Sequence, residues 1–562
     1  MPVSHSEIRS TRVEASQADV ALLLEGTFPY VRGGVSSWVD QLIRALPDLT
    51  FSVVFIGSRR ADYGEPVYAM PDNVVHFEAH YLYASTGEVS GTRRSPSGAD
   101  DAAAFMQIAQ LHDRFRQHDA AGAARVATSG LASSPEAWQE AAPEPGAQMR
   151  AEDLSALLAR ILPMLSDDGA LAQSAFLHGE RAWRFITQRY ERYCHDPSFT
   201  DYFWSIRAMH KPIWQLARIA RGLPPARMYH TVSTGYAGLL GAMLRANTAR
   251  PLLVTEHGSY TKERRLDLLQ SEWLRDNRGP LERDIARVGY FQNLWMRFFE
   301  AIGRVCYDAA DEIVSLHEGG RARQIADGAP AHKTRCIANG VEVARFGALR
   351  GARRDAAAHS AHAQIAPVVA LIGRVVPVKD IKTFLRAIFI AYRARPDIQG
   401  WIVGPESEDR GYAAECRDLA ASLGMEYQVR FMGFQAIESI LPRIGVLALS
   451  SVSEGLPLVM LEASAAGVPV VATDVGACRE LIEGGDAADR ALGRAGRIVP
   501  IADPEALASA IVEVLEPTQW HAASRAGMAR VERYYRADIM CAAYRARYAR
   551  WMGRVNTGQG HG

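Results

Sequence analysis

Four side chains in the C-terminal half have the types and spacings that phosphate and sugar chemistry needs: Arg374, Lys379, Glu454 and Glu462. Arg374 and Lys379 lie five residues apart after the apolar run Val368–Ile372, so a turn there aims both cations into the crevice above a sheet. A guanidinium grips an anion with two prongs and an ammonium acts as a point charge, a combination suited to a diphosphate. Glu454 opens the stretch Ser453-Glu454-Gly455-Leu456-Pro457-Leu458-Val459, and Glu462 follows with seven residues between the two acids. The amides of Gly455 and Leu456 stand beside a helix N-terminus, which favours anions. Carboxylates accept hydrogen bonds from sugar hydroxyls, and Glu462, about two turns into the helix, suits a ribose diol. Singly, each group also fits a solvated surface charge. Together, from separate strand ends of one sheet, they point to a nucleoside diphosphate carrying a sugar.

The N-terminal half offers a second set. Gly33-Gly34 follows a buried strand, Val20–Leu24, and precedes an amphipathic helix, Ser36–Leu46. Glycines let a backbone approach a phosphate closely, although a plain tight turn has the same look. His257 ends the strand Leu252–Thr255 within Thr255-Glu256-His257-Gly258, a position open to either a catalytic or a hydrogen-bonded structural histidine. The aromatic run Tyr202-Phe203-Trp204, with His210 and Trp214, fits either an acceptor groove or a helix core. The dinucleotide fingerprint G-x-G-x-x-G is absent from the chain, which counts against a nicotinamide enzyme.

Elements that place these residues follow from short apolar runs alternating with helical stretches. Further strands are expected at Phe51–Gly57, Val74–Phe77, Arg227–His230, Glu312–Leu316 and Lys333–Ile337, making a first sheet. A second series has strands at Val368–Ile372, Trp401–Gly404, Val429–Gly433, Gly445–Leu449, Val468–Ala472 and Arg497–Val499. The fold class expected is α/β: two tandem Rossmann-like domains with a cleft between them. The first spans 1–346 with a helical insertion at about 85–225, whose segment Ala141–Gly146 reads as a loop. A linker covers 347–366, because Gly347–Gln364 has no apolar period. The second domain spans 367–515, and C-terminal helices at 516–562 are expected to pack back on the first.

Composition sets the bounds. The chain has 562 residues, 48% hydrophobic and 22% charged, enough for two sizeable cores. Lys plus Arg and Asp plus Glu both total 63, so no bulk field favours nucleic acid. The six cysteines are scattered without a C-x-x-C pair, which fits a reduced cytoplasm and not a structural zinc. No apolar run reaches the length of a membrane span and the N-terminus lacks a signal-peptide pattern, so a cytoplasmic protein is expected. The chain has no Asp-x-Asp pair, and neither a metal nor another cofactor is expected.

These residues resemble those of retaining glycosyltransferases of the GT-B fold, family 4. The resemblance rests on Gly373-Arg374 with Lys379, Ser453 to Pro457 with Glu462, and Gly467-Val468-Pro469-Val470-Val471-Ala472-Thr473. The run Gly26 to Val39 and Thr255-Glu256-His257-Gly258 are similar, more narrowly, to the PelF group, the cytoplasmic glycosyltransferases of bacterial Pel exopolysaccharide synthesis. The resemblance implies a GT-B fold and a UDP-hexose donor, UDP-glucose first and UDP-N-acetylhexosamine second. It implies a polysaccharide acceptor and partners among inner-membrane secretion components that could recruit the protein. Arg374 and Lys379 would neutralise the leaving diphosphate. Glu454 would bind the donor sugar, and Gly455, Leu456, Pro457, Leu458 and Val459 would meet sugar and phosphates. Glu462 would hold the ribose, Met432 within Arg430–Gly433 would lie near the base, Gly33 and Gly34 would close over the diphosphate, and His257 would touch the sugar near the reacting carbon. The alternatives are a non-catalytic scaffold, or another sugar-nucleotide enzyme such as an epimerase or a small-product transferase.

Overall fold

The computed structural model describes residues 17–83, 103–109, 154, 156–194, 198–270, 289–358 and 365–558. Two parallel sheets stand in tandem. The first contains β1 (Ala18–Glu25), β2 (Phe51–Gly57), β3 (Val74–Tyr81), β4 (Ala226–Thr231), β5 (Leu252–Glu256), β6 (Glu312–Ser315) and β7 (Thr334–Cys336), ordered β3-β2-β1-β4-β5-β6-β7. The second contains β8 (Val368–Ile372), β9 (Gln399–Val403), β10 (Val429–Gly433), β11 (Val446–Leu449), β12 (Val470–Thr473) and β13 (Gly496–Val499), ordered β10-β9-β8-β11-β12-β13. In each sheet the chain reverses its direction of strand addition once, between β1 and β4 and between β8 and β11. Such a switch point leaves a crevice outside the strands' C-terminal ends, where open α/β sheets bind ligands.

Parallel strands need cover on both faces, and β1 shows how it is supplied. Ala21 and Leu23 face a core that includes Trp214 and Tyr229, whereas Val20, Leu22 and Leu24 face one that includes Trp38, Tyr544 and Tyr548. Tyr544 and Tyr548 belong to the last helix, Ala537–Gly558, which follows the second domain in sequence yet packs on the first sheet. Its start is pinned there, with Ala537 N–H donating to the Val341 carbonyl at 3.0 Å.

Several expectations need adjusting. The stretch 347–366 does not run as an open linker: the helix Val343–Ala358 occupies most of it. Alanine and arginine are strong helix formers whatever the apolar period. Phe346 is buried at its start, and Arg350 donates to the Ala465 carbonyl and pairs with Glu532, tying the helix to the second domain. Glu462 lies about one turn into its helix, not two, because the helix begins at Leu458 after a non-helical Pro457. Of the aromatic run, Tyr202, His210 and Trp214 are core residues, while Trp204 is exposed. The segment Ala141–Gly146 and much of the insertion lie outside the described residues. Among the described residues no helix is long and apolar enough to cross a membrane.

Candidate functional site

The two strands that flank the second switch point each deliver one half of an ion pair. After β8 the chain makes a tight turn, Pro377–Lys379, and Asp380 then takes a left-handed conformation at φ 44°. This costs of order 1 kcal/mol for a non-glycine residue. Asp380 also caps the helix Ile381–Ala394, its carboxylate accepting from Thr383 N–H at 3.2 Å. The turn is tied to β11: Val452 N–H donates to the Val378 carbonyl, and Ser450 Oγ donates to the carbonyls of Lys379 and Asp380, all at 2.9 Å. Lys379 Nζ thereby lies 2.5 Å from Glu454 Oε1, which also accepts from Ser451 Oγ at 2.6 Å. Both members of the pair are partly exposed, so the ammonium keeps donors for an anion that enters.

The loop carrying Glu454 also meets the first domain. A side chain at Gly455 would place Cβ 1.8 Å from the His257 carbonyl oxygen, so only glycine permits this approach. The next carbonyl, of Leu456, accepts from Asn339 Nδ2 of the first domain at 3.1 Å. Gly34, the first residue of the helix Gly34–Ala45, lies across from Leu458, whose Cδ1 is 3.8 Å from where its Cβ would stand. Gly33 caps that helix in extended backbone, with open space around it. Arg32 stacks over Phe434, 4.4 Å from its ring centre, just beyond Met432, which packs partly buried at the core's edge. The C-terminal rims of the two sheets therefore face each other, with Gly33, Gly34 and His257 on one side and Gly455, Leu456 and Leu458 on the other.

Not every expected residue joins the cluster. The Arg374 guanidinium pairs with Glu408 at the surface and not with Glu454. Glu462 sits apart on the helix Leu458–Ala465, partly buried, and burial pushes its carboxyl up to about 7. Arg345 counters part of that shift and Glu438 adds to it, while these two pair with each other. A carboxyl that titrates near neutrality can both donate to and accept from a diol. Pro457 is buried and Val459 packs partly buried at the core. His257 is partly buried, and burial pushes its imidazole down to about 3, so the ring is neutral at pH 7. Sequence reasoning passed over Ser451, Asn339 and Gly476. The last has φ 55°, and a Cβ there would meet the carbonyls of Glu454 and Gly455 at 2.3 Å. Only the strand-end position of Asn339-Gly340 and the Ser450-Ser451 pair before the loop hinted at them.

Residues 18–332 match the family model described as a domain of unknown function, DUF3492. The chain belongs to that family. In this DUF3492 member, residues 366–517 match a second model, glycosyl transferases group 1. The sucrose-phosphate synthase of Thermosynechococcus elongatus is similar in structure at 18% identity, covering 95% of this chain and 100% of that one, with a TM-score of 0.53. A glycosyltransferase of Rickettsia africae is similar at 12% identity, with 96% and 99% covered and a TM-score of 0.49. HepE of Anabaena, in complex with UDP-glucose, is similar at 19% identity, with 63% and 89% covered and a TM-score of 0.44. No curated protein matches the chain. The two facing Rossmann-like sheets form the GT-B fold, and the second carries a glycosyltransferase group 1 domain.

Proposed function

We propose that this DUF3492 protein is a retaining, metal-independent hexosyltransferase that moves a sugar from a UDP-sugar to a growing exopolysaccharide of the Pel type, with UDP-glucose the first donor to test and UDP-N-acetylhexosamine the second. The observation that carries the reading is the Lys379–Glu454 pair, held at the switch point of the group 1 domain and facing His257 across Gly455. In the reaction the bond from the sugar's anomeric carbon to the β-phosphate oxygen breaks, its electron pair leaving with the diphosphate. The acceptor hydroxyl oxygen bonds the same carbon from the same face, and its proton passes to the departing phosphate. Lys379 and the amides following Glu454 stabilise the negative charge that builds on the diphosphate. Arg374 joins them once a diphosphate draws it from Glu408. Glu454 holds donor hydroxyls, Glu462 the ribose, and Met432 borders the base. Gly33 and Gly34 supply the facing helix N-terminus. The acceptor is a polysaccharide end, and cytoplasmic action beside membrane-bound secretion components is part of the same reading.

A melting-temperature panel of nucleotide sugars, followed by release of free UDP with and without oligosaccharide acceptors, tests it. A ligand at one hundred times its Kd adds about 2.7 kcal/mol to stability, so the true donor should stand out. Acceptor-dependent release of UDP is the expected result. Binding without turnover would favour the scaffold, a changed sugar still attached to UDP would favour an epimerase, and no shift with any UDP-sugar would remove the reading.

A further inference from the structure

The imidazole of His257 packs against one aromatic ring, Trp38, that none of the roles above uses. The Trp38 ring lies 4.5 Å from it, centre to centre, with the planes at 71°. His257 Nε2 is buried and has no hydrogen-bond partner among the described residues. A buried ring nitrogen without a partner costs about 1–3 kcal/mol, whereas an N–H directed at an aromatic face recovers part of that. Trp38 is itself immobilised. It is fully buried, its Nε1–H donates to Met540 Sδ at 3.1 Å, and Tyr544 packs against it at 5.1 Å and 75°. Behind it His230 bonds Tyr548 Oη at 2.7 Å and Thr255 Oγ1 at 2.8 Å, and its ring lies 5.9 Å from Trp38. Met540, Tyr544 and Tyr548 all come from the last helix, Ala537–Gly558. The segment that returns from the second domain thus braces the indole against the histidine.

We propose that Trp38 is a positioning residue that sets the tautomer of His257: the indole face takes the Nε2–H, and the Nδ1 lone pair is left to accept a hydroxyl hydrogen of the donor sugar. Burial keeps the ring neutral at pH 7, so one nitrogen carries the hydrogen and the other accepts. The sugar contact rests on the transferase reading; the tautomer does not.

The full-length protein labelled with 15N-histidine decides it by long-range proton–nitrogen spectra, with the His257 signals assigned by their loss in His257→Ala. The expected result is a single Nε2–H tautomer in the unaltered protein. Trp38→Leu should mix the tautomers and lower kcat for UDP-glucose about tenfold, with KM moved less than about threefold. Trp38→Phe, which keeps an aromatic face, should recover most of that loss. An Nδ1–H tautomer in the unaltered protein would overturn the proposal, as would a Trp38→Phe protein no better than Trp38→Leu. Should Trp38→Leu fail to fold, the spectrum of the unaltered protein still decides. Absence of any UDP release would sink the transferase reading and leave the tautomer result standing.

Discussion

The rims of the two sheets face the same cleft but are built on opposite plans. On the second, the decisive groups are polar and paired, and come from the ends of two adjacent strands: Lys379 after β8 with Glu454 after β11, and Ser451 bonded to the same carboxylate. On the first, the decisive side chain is a neutral histidine packed on Trp38, an indole braced in turn by Met540 and Tyr544 of the last helix. The contrast teaches a division of labour. On the proposed reading, charges at the second rim receive a charged leaving group, and they come from the ends of two strands adjacent in the sheet, β8 and β11. Orientation at the first rim comes from packing, which can recruit rings from anywhere in the chain.

Breaking the polar rim should give the largest effect. Lys379→Ala or Glu454→Ala should lower acceptor-dependent UDP release by about 10²- to 10³-fold, with the melting temperature within a few degrees of the parent. Activity retained in both variants would reject the site. The control is a buried ion pair away from the cleft residues, Arg530 of the helix Pro517–Tyr534 with Asp489, 2.6 Å apart and almost wholly buried. Arg530 spends its remaining donors on the carbonyls of Leu481, Ile482, Asp489 and Gly493. Removing one partner of such a pair costs about 3–5 kcal/mol, so Asp489→Ala should lose stability where Lys379→Ala loses chemistry. A stable Asp489→Ala protein would contradict that contrast.

The contact between the rims comes next. Gly455→Ala would drive a methyl into the His257 carbonyl oxygen, and backbone cannot swing away as a side chain can. Displacement of reacting groups by about 1 Å costs up to about a hundredfold, so a tenfold or greater fall in transfer is expected. A normal rate would mean that the rims part during turnover.

How much of this could be read from residues alone follows the same contrast. Most strands of both sheets coincide with apolar runs, and Phe51–Gly57 and Val368–Ile372 match to the residue because buried parallel strands are continuous hydrophobic segments. Val429–Gly433 also matches, while β7, Thr334–Cys336, is largely exposed. The Glu454 loop was legible because its chemistry is packed into one stretch. The pairing of Arg374 was not legible because sequence spacing cannot show a competing carboxylate: Glu408 arrives from the loop after β9 and pairs with the guanidinium. The helix through 347–358 was missed because its anchors, Phe346 and the Arg350 contacts, are tertiary. The packing of Trp38 on His257, and the rings that brace it, left no trace in sequence, since Trp38, His230, Tyr544 and Tyr548 look like ordinary core residues wherever each is met.

The smallest effect tests whether the rims also differ in the sign of their pH response. Burial lowers His257 and His230 to about 3. The unfolded chain therefore binds more protons than the folded one between pH 6.5 and 3, and stability falls as pH drops through that window. Glu462 is raised to about 7, so here the folded chain binds the extra proton, and stability falls as pH rises from about 4.5 to 7. Glu462→Gln removes the cost of a buried charge while keeping shape and hydrogen-bonding capacity. It should leave the melting temperature unchanged near pH 4.5 and raise it at pH 8, by about 1–3 kcal/mol of stability. For a domain of this size that is about 2–4 °C for each kcal/mol. Calorimetric scans of the parent and Glu462→Gln at pH 4.5, 6 and 8 read the difference directly. Equal melting temperatures at pH 8 would show that Glu462 is already ionised at little cost, so that on the proposed reading the carboxylate form, without a proton to donate, would meet the ribose.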